Sequence, residues 1–445
     1  MKTGNRLESS RVFRIASAVS ALLFILCGLF ILWIGDISGV RHLAAKIVAT
    51  YLLFWAVAFL FSSGTARREL VVGFTLSALL LTILAALLEA PPLIGQLDSR
   101  KLFRTRIEAP WQKPENQFDE ELLWRRRPFF EESGTAEGNI SVSWCLPSAL
   151  RSRYPYEVRY DGNGFRNEDN MTEAQIALVG DSYLEAADVP VQEILSSQLA
   201  RLSGGPVANL GLGGYGPRQE LILLRRFALP LDPDVIVWAF YEGNDLSDLE
   251  AYERFVRSLE SGRLRATPTW RERSFARNAL RALYGLLEGC KIWPGADRRV
   301  GVFRAADGRE LRMYFLTKAH PLGPADLGAL RSLGEVLARA YELSTQNGAR
   351  LVILYVPMKY RVYGNFVDVP LASDLREWTN NDLPARVETL VREISPEIGF
   401  LDLTPPFVAG AGQGSVLYFA DDTHWTAEGH RVAAEALWTY LSPQE

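Results

Sequence analysis

Apolar residues are distributed along this chain in two regimes. Within the first ninety positions they form long uninterrupted runs: IASAVSALLFILCGLFILWI at 15–34, a second between Lys46 and Arg67, and a third between Glu69 and Glu89. Each is long enough to cross a hydrocarbon core of about 30 Å at a helical rise of about 1.5 Å per residue. The first run exceeds the apolar core of a signal peptide, and two more follow it. The pattern therefore predicts three transmembrane helices within a membrane domain, 1–96.

From residue 174 the pattern changes to short apolar runs alternating with amphipathic stretches. QIALVG (175–180), PVANLG (206–211), DVIVWAFY (234–241), RLVILYVP (350–357) and FLDL (400–403) read as strands. Between them, 190–202 carries an apolar stripe at Val191, Ile194, Leu195, Leu199 and Leu202, opened by Pro190. Further helices are predicted around 217–228, 324–346, 383–395 and 427–441. Nearly all-apolar strands alternating with helices imply an α/β fold whose parallel sheet is covered on both faces. Sites in such folds form at the carboxyl ends of the strands. The alternation breaks at 250–320, an expected insertion with a hairpin about Asp307-Gly308. Residues 97–173, rich in Pro, Arg, Glu and aromatics, read as a connector packing on a catalytic domain at 174–445, with a turn at Asn163-Gly164.

Composition narrows the function. The net charge of −4 gives no footprint for nucleic acid. Of the four histidines, His42 falls in the membrane region, leaving His320, His424 and His430 without a His/Cys cluster, so no metal site is expected. Cys27 lies in an apolar run. Cys145 and Cys290 are either a pair, in an oxidising compartment, or two buried thiols. Lys2, Arg6, Arg11 and Arg14 precede the first run and Arg67 and Arg68 follow the second, against Arg41 between them. By the positive-inside rule the N-terminus is cytoplasmic and everything after the third run lies outside, although Arg100, Lys101, Arg104 and Arg106 pull the other way.

Four polar segments punctuate the α/β region. LVGDSY places Ser182 at the end of the first strand, NLGLGGYG follows the second, and YEGNDL places Asn244 after the third. FADDTHWTAEGH brings Asp421, Asp422 and His424 just ahead of the last helix. A serine hydroxyl needs a base to take its proton and the base needs a third group to hold its tautomer. His424 suits the first role and a neighbouring aspartate the second. The N–H of Ser182, a glycine N–H and the Asn244 amide suit an oxyanion hole. Each segment alone is weak; the placement of three of them directly after successive strands is what joins them.

Together the four segments resemble the blocks of the SGNH/GDSL hydrolase family over roughly residues 174–445. Gly180-Asp181-Ser182 matches the nucleophile block, Gly214 the glycine block, Gly243-Asn244-Asp245 the third, and Asp421 with His424 the terminal Asp-x-x-His block. The resemblance implies a flavodoxin-like α/β/α sandwich, no cofactor, and ester hydrolysis or acyl transfer. It makes Ser182, His424 and Asp421 the catalytic residues, with Asp422 open as the orienter, and Ser182, Gly214 and Asn244 the oxyanion donors. Asp422-Thr423-His424-Trp425 also resembles the Asp-x-His-Trp motif of alginate O-acetyltransferase relatives, in which the motif precedes the serine. Asn163-Gly164-Phe165-Arg166 resembles a stretch found upstream of this domain in membrane-anchored members. The expected enzyme is a multi-pass membrane protein acting outside the cytoplasm on acetyl esters of a glycan, with a membrane acyltransferase partner if it transfers rather than hydrolyses. The alternatives are a lipase or thioesterase acting on lipid acyl chains and a catalytically silent glycan-binding scaffold.

Overall fold

A computed structural model of the chain describes residues 38–61, 63–103, 110–262, 269–288, 292–293 and 295–442. The chain divides into two compact units, one of 1–114 with 265–290 and one of 115–264 with 291–445.

In the first unit, α1 (Ser38–Leu60) packs against α2 (Gly64–Leu93), and helix Phe275–Glu288 packs on both. Glu89 explains part of this arrangement. Its carboxylate accepts from the Ser274 hydroxyl (2.9 Å) and from the N–H groups of Phe275 (3.1 Å) and Ala276 (2.7 Å). These are the unpaired donors at the start of a helix, where negative charge is favoured. Among the described residues one helix is long and apolar enough to cross a membrane, Thr65–Leu93, with 29 residues. α1 contributes a shorter apolar stretch, Ala45–Trp55. The expectation of three spans thus reduces to one here; the first expected span, at 15–34, and Cys27 lie outside the described residues.

The second unit begins with two antiparallel pairs, β1 (Asn116–Asp119) with β2 (Leu123–Arg126), and β3 (Glu131–Glu137) with β4 (Arg153–Arg159). The central sheet follows: β5 (Ile176–Gly180), the single-turn helix α3 (Ser182–Glu185), α4 (Leu195–Ser203), β6 (Val207–Gly211), α5 (Pro217–Leu223), β7 (Val235–Tyr241) and α6 (Asp245–Glu260). The chain then forms a hairpin, β8 (Val300–Arg304) with β9 (Glu310–Tyr314), turned at Gly308. It continues through α7 (Pro324–Gln346), β10 (Arg350–Val356), α8 (Leu383–Ile394), β11 (Gly399–Asp402) and α9 (Ala427–Leu441).

The five sheet strands lie in the order β11-β10-β7-β5-β6, all parallel. Counted along the chain this is 2-1-3-4-5, a doubly wound order. β5 and β6 are buried at every position, and β7 and β10 at all but the first. Two groups of helices supply the cover: α4 packs with α9, and α7 packs with α5, α6 and α8. The order of strands reverses at β5, so the crevice at its carboxyl end opens over Ser182. Cys145 carries a disulfide; Cys290 lies outside the described residues.

Candidate active site

Gly180 ends β5, and the chain turns sharply into α3. Asp181 caps that helix by accepting from the Tyr183 N–H at 2.9 Å, and Ala186 in the left-handed conformation (φ 48°) ends it. Ser182, the first helical residue, is thereby presented at the switch point with its own N–H among the unpaired donors of the first turn.

The Ser182 Oγ lies 2.9 Å from His424 Nε2, and His424 Nδ1 lies 2.6 Å from Asp422 Oδ1. A carboxylate can only accept there, so the Nδ1 proton points at Asp422 and the Nε2 lone pair at the serine hydroxyl. Burial alone pushes His424 down. The hydrogen bond and charge of Asp422, with Asp188 and Asp181 beyond it, push it up instead, to about 9. Burial likewise raises Asp422, but His424 and the N–H groups of Asn139 and His424 outweigh it and hold the carboxyl at about 2.

Asp421, the expected orienter, does not face the histidine. Its carboxylate accepts from the Ser141 hydroxyl and from the Ser152 N–H at 2.9 Å, and its carbonyl accepts from Ile140 N–H at 3.1 Å. Its carboxylate is thus committed away from the ring, and only its neighbour Asp422 reaches the imidazole. Asp421 anchors the loop to 138–152.

That loop is fixed from three directions. Asn139 donates its N–H to Asp422 Oδ2 (2.5 Å) and its amide to Thr423 Oγ1 (2.7 Å). Tyr183 donates its hydroxyl to the Thr423 carbonyl at 2.6 Å. Lys359, buried, places its ammonium on three loop carbonyls, those of Phe419 (2.6 Å), Ala420 (2.8 Å) and Asp422 (2.9 Å). Burial pushes Lys359 down to about 7, against the charges of Asp422 and Asp421.

The glycine segment after β6 is held just as closely. Glu185 is buried and accepts from Arg126 Nε (2.6 Å), the Tyr160 hydroxyl (2.6 Å) and the Gly213 N–H (2.6 Å). Burial raises its carboxyl, but Arg126, Tyr160 and Gly213 bring it down to about 2. A Cβ on Gly213 would stand 2.6 Å from Glu185 Oε2 and 3.4 Å from Ser182 Cβ, so this residue must be glycine. With Gly213 N–H committed, Gly214 (φ 84°) is left with an N–H that has no partner among the described residues. Asn244 stands just past β7, the neighbour of β5; its amide donates to Asp248 Oδ2 at 2.7 Å and has a second hydrogen to offer.

Other charged groups surround this centre. Asp188 Oδ2 lies 3.8 Å from His424 Nδ1, and the ligand atoms of Asp188, Asp422 and His424 are mutually within 4.8 Å. These three could hold a divalent ion only if His424 gave up its Nδ1 proton. Behind the nucleophile turn, burial raises Asp181 to about 6 and Asp248 to about 7, and pushes Glu220 and Asp245 well above the usual carboxylate range, each reinforced by its acidic neighbours. His320 is exposed and hydrogen-bonded to the Pro321 carbonyl; His430, driven down to about 3 by burial, accepts from Leu195 N–H. Asp422 entered the sequence reading only as the alternative orienter; Lys359, Arg126 and Glu185 escape it. The only signal they leave is charge in segments that otherwise read as buried.

The family model described as GDSL-like lipase/acylhydrolase matches residues 178–432, more than half of the chain. A probable alginate O-acetylase, AlgJ, of Pseudomonas putida is 32% identical over 99 residues, covering 22% of this chain and 24% of the relative. The chain thus matches about a quarter of that relative's length. Similar solved structures include a catalytic mutant of the acetylxylan esterase Axe2 from Geobacillus stearothermophilus, at 10% identity and a TM-score of 0.33, covering 62% of this chain and 97% of that one. The lipase/acylhydrolase from Enterococcus faecalis is 12% identical with a TM-score of 0.30, covering 61% of this chain and 98% of that one.

Proposed function

The chain belongs to the GDSL-like lipase/acylhydrolase family, and we propose that it is a membrane-anchored serine esterase or O-acyltransferase acting on acetyl esters of an extracytoplasmic glycan. The observation that carries the chemistry is the hydrogen-bonded chain Ser182–His424–Asp422 at the carboxyl edge of the sheet.

In this reading Ser182 Oγ attacks the ester carbonyl as its proton passes to His424 Nε2, and Asp422 stabilises the imidazolium. The N–H groups of Ser182 and Gly214 and the Asn244 amide receive the oxyanion. Collapse expels the sugar alkoxide, which takes the proton back from His424 and leaves an acyl-serine. Water completes hydrolysis by the reverse sequence; a sugar hydroxyl in its place completes transfer. A transferase additionally requires a membrane partner that supplies the acyl group.

The glycan rests on the local similarity to the probable alginate O-acetylase. The proposed membrane anchor rests on the span Thr65–Leu93, and the proposed membrane domain (1–96), connector (97–173) and catalytic domain (174–445) rest on the sequence pattern alone, with 265–290 grouping with the N-terminal unit. An extracytoplasmic catalytic domain is supported by the Cys145 disulfide, a bond that persists in oxidising compartments. The full-length protein in detergent is expected to react with a fluorophosphonate probe and to hydrolyse p-nitrophenyl acetate, both abolished in Ser182→Ala. Equal behaviour of wild type and variant sinks the catalytic assignment.

A further inference from the structure

A cleft of about 760 Å³ opens in the second unit, with Tyr156, Glu157, Arg159, Arg166, Asn167 and Gln192 among its walls. Two stretches of chain lead from its walls to residues that touch the histidine loop. Pro155, on one wall, follows Tyr154, whose ring stacks on Phe419 of the histidine loop at 4.7 Å. Pro190, on the other, lies two residues beyond Asp188, which faces His424 at 3.8 Å. Arg166 ties the two together, donating to the carbonyls of Glu185, Ala186 and Val189 (2.9 Å for the last), in the segment leading out of the nucleophile helix.

Tyr156 is the distinctive element. It sits directly opposite Gly134 in the β3–β4 register, and a Cβ on Gly134 would stand 3.0 Å from its Cε1 and 3.5 Å from its Cζ. The ring therefore leans across the neighbouring strand in the place a side chain at 134 would fill, while still lining the cleft. Covering a glycine accounts for that contact but not for the surroundings. The cleft is lined besides by Glu157, Arg159, Asn167, Glu168 and Gln192.

An acyl chain calls for an apolar lining, and a phosphate for net positive charge. Here Arg159 and Arg166 are balanced by Glu157 and Glu168. A half-buried aromatic ring fringed with side-chain amides, carboxylates and guanidinium groups suits a pyranose, whose C–H face lies on the ring while its hydroxyls meet the polar fringe. The volume falls within the range of about 300–1,000 Å³ typical of small-molecule sites. We propose that this cleft is a saccharide subsite with Tyr156 as its platform, holding a glycan segment next to the sugar whose ester reaches Ser182. The proposal rests on the glycan reading above and gives that substrate a place on the protein.

Binding is measured by calorimetry on the full-length chain in detergent carrying Ser182→Ala, with short O-acetylated mannuronate oligomers and O-acetylated xylan oligomers as probes. At least one probe binds; Tyr156→Ala on this background weakens it about tenfold, and Tyr156→Phe retains it, because the ring and not the hydroxyl makes the contact. The proposal is overturned if neither probe binds, if Tyr156→Ala binds as tightly as its parent, or if Phe loses as much as Ala. Should Tyr156→Ala fail to fold, Arg159→Ala at the exposed rim decides: about threefold weakening supports the subsite and unchanged binding overturns it. Binding without p-nitrophenyl acetate turnover in the wild type sinks the esterase and keeps the subsite; turnover without binding does the reverse.

Discussion

Exchanging Asp422 for asparagine tests the orienting role most directly, with Asp421→Asn as its partner experiment. The Asp422 carboxylate accepts on both oxygens: Oδ1 from His424 Nδ1 (2.6 Å) and His424 N–H (2.9 Å), Oδ2 from Asn139 N–H (2.5 Å). An amide has one acceptor oxygen, so either orientation sets an NH2 group against a donor. Turned toward the ring, that NH2 selects the tautomer with its proton on Nε2, where it cannot take the serine proton. Losses from such a wrong tautomer are about 10⁴-fold in kcat, roughly 5 kcal/mol of barrier. The pH profile carries a second signature. The base works only when neutral, and with His424 held at about 9, kcat/KM rises with pH until about that value. In Asp422→Asn the hydrogen bond and charge that raise His424 are gone, so the midpoint moves down toward the ordinary histidine value of about 6.5 while the plateau collapses. Asp421→Asn leaves the ring's partner in place and is expected to cost less than about tenfold with the midpoint unmoved. The assay is p-nitrophenyl acetate hydrolysis by detergent-solubilised full-length protein across about pH 5 to pH 10. The reasoning is refuted if Asp421→Asn is the dead variant with the displaced profile and Asp422→Asn tracks the wild type.

Two further substitutions test the supports of the loop. Gly138→Ala introduces a Cβ 2.6 Å from Asp421 Cγ, so it must displace the loop that carries the base. Gly138 has an ordinary backbone conformation (φ −54°), so the loss comes from the clash and not from backbone strain, and the substitution is expected to lower kcat at least about tenfold although it lies far upstream of Ser182. Lys359→Met keeps the length of the side chain but strips three loop carbonyls of their donor, at about 1–3 kcal/mol for each buried group left unpaired. Its expected outcome is a lower thermal midpoint together with a kcat loss larger than any change in KM. Wild-type values on both counts remove Lys359 from the loop's support.

The α/β region could be read from the sequence because its signals are local. Strands such as 350–357 and the helix opened by Pro324 show apolar periods and end signals within a few residues, and the structure gives Arg350–Val356 and Pro324–Gln346. Ser182 and His424 were legible for the same reason, one directly after a strand and the other just ahead of a helix that the pattern defines. The choice between Asp421 and Asp422 was not, since it depends on the direction of one peptide turn fixed by Asn139 and Lys359. Nor could Arg126, Tyr160 and Glu185 be joined in advance, because residues 97–173 have no sustained period and the partners lie far apart along the chain. The grouping of 265–290 with the N-terminal residues has the same origin: the Glu89 carboxylate on the start of helix Phe275–Glu288 has no local trace.

The clamp between Asn139 and the loop at Asp422 joins positions 283 residues apart. Contacts of that span close late, because the entropy of the intervening loop must first be overcome by the sheet that forms within it. During synthesis the strand and turn bearing Ser182 therefore emerge long before His424, the base of the proposed mechanism. A nascent or half-folded chain exposes a serine without a proton acceptor, and competence arrives only when the last strand and helix dock and draw Asp422 onto Asn139. Activity in this enzyme is in that sense a report on completed folding, and conditions that loosen residues 419–424 are expected to silence turnover before they unfold the sheet.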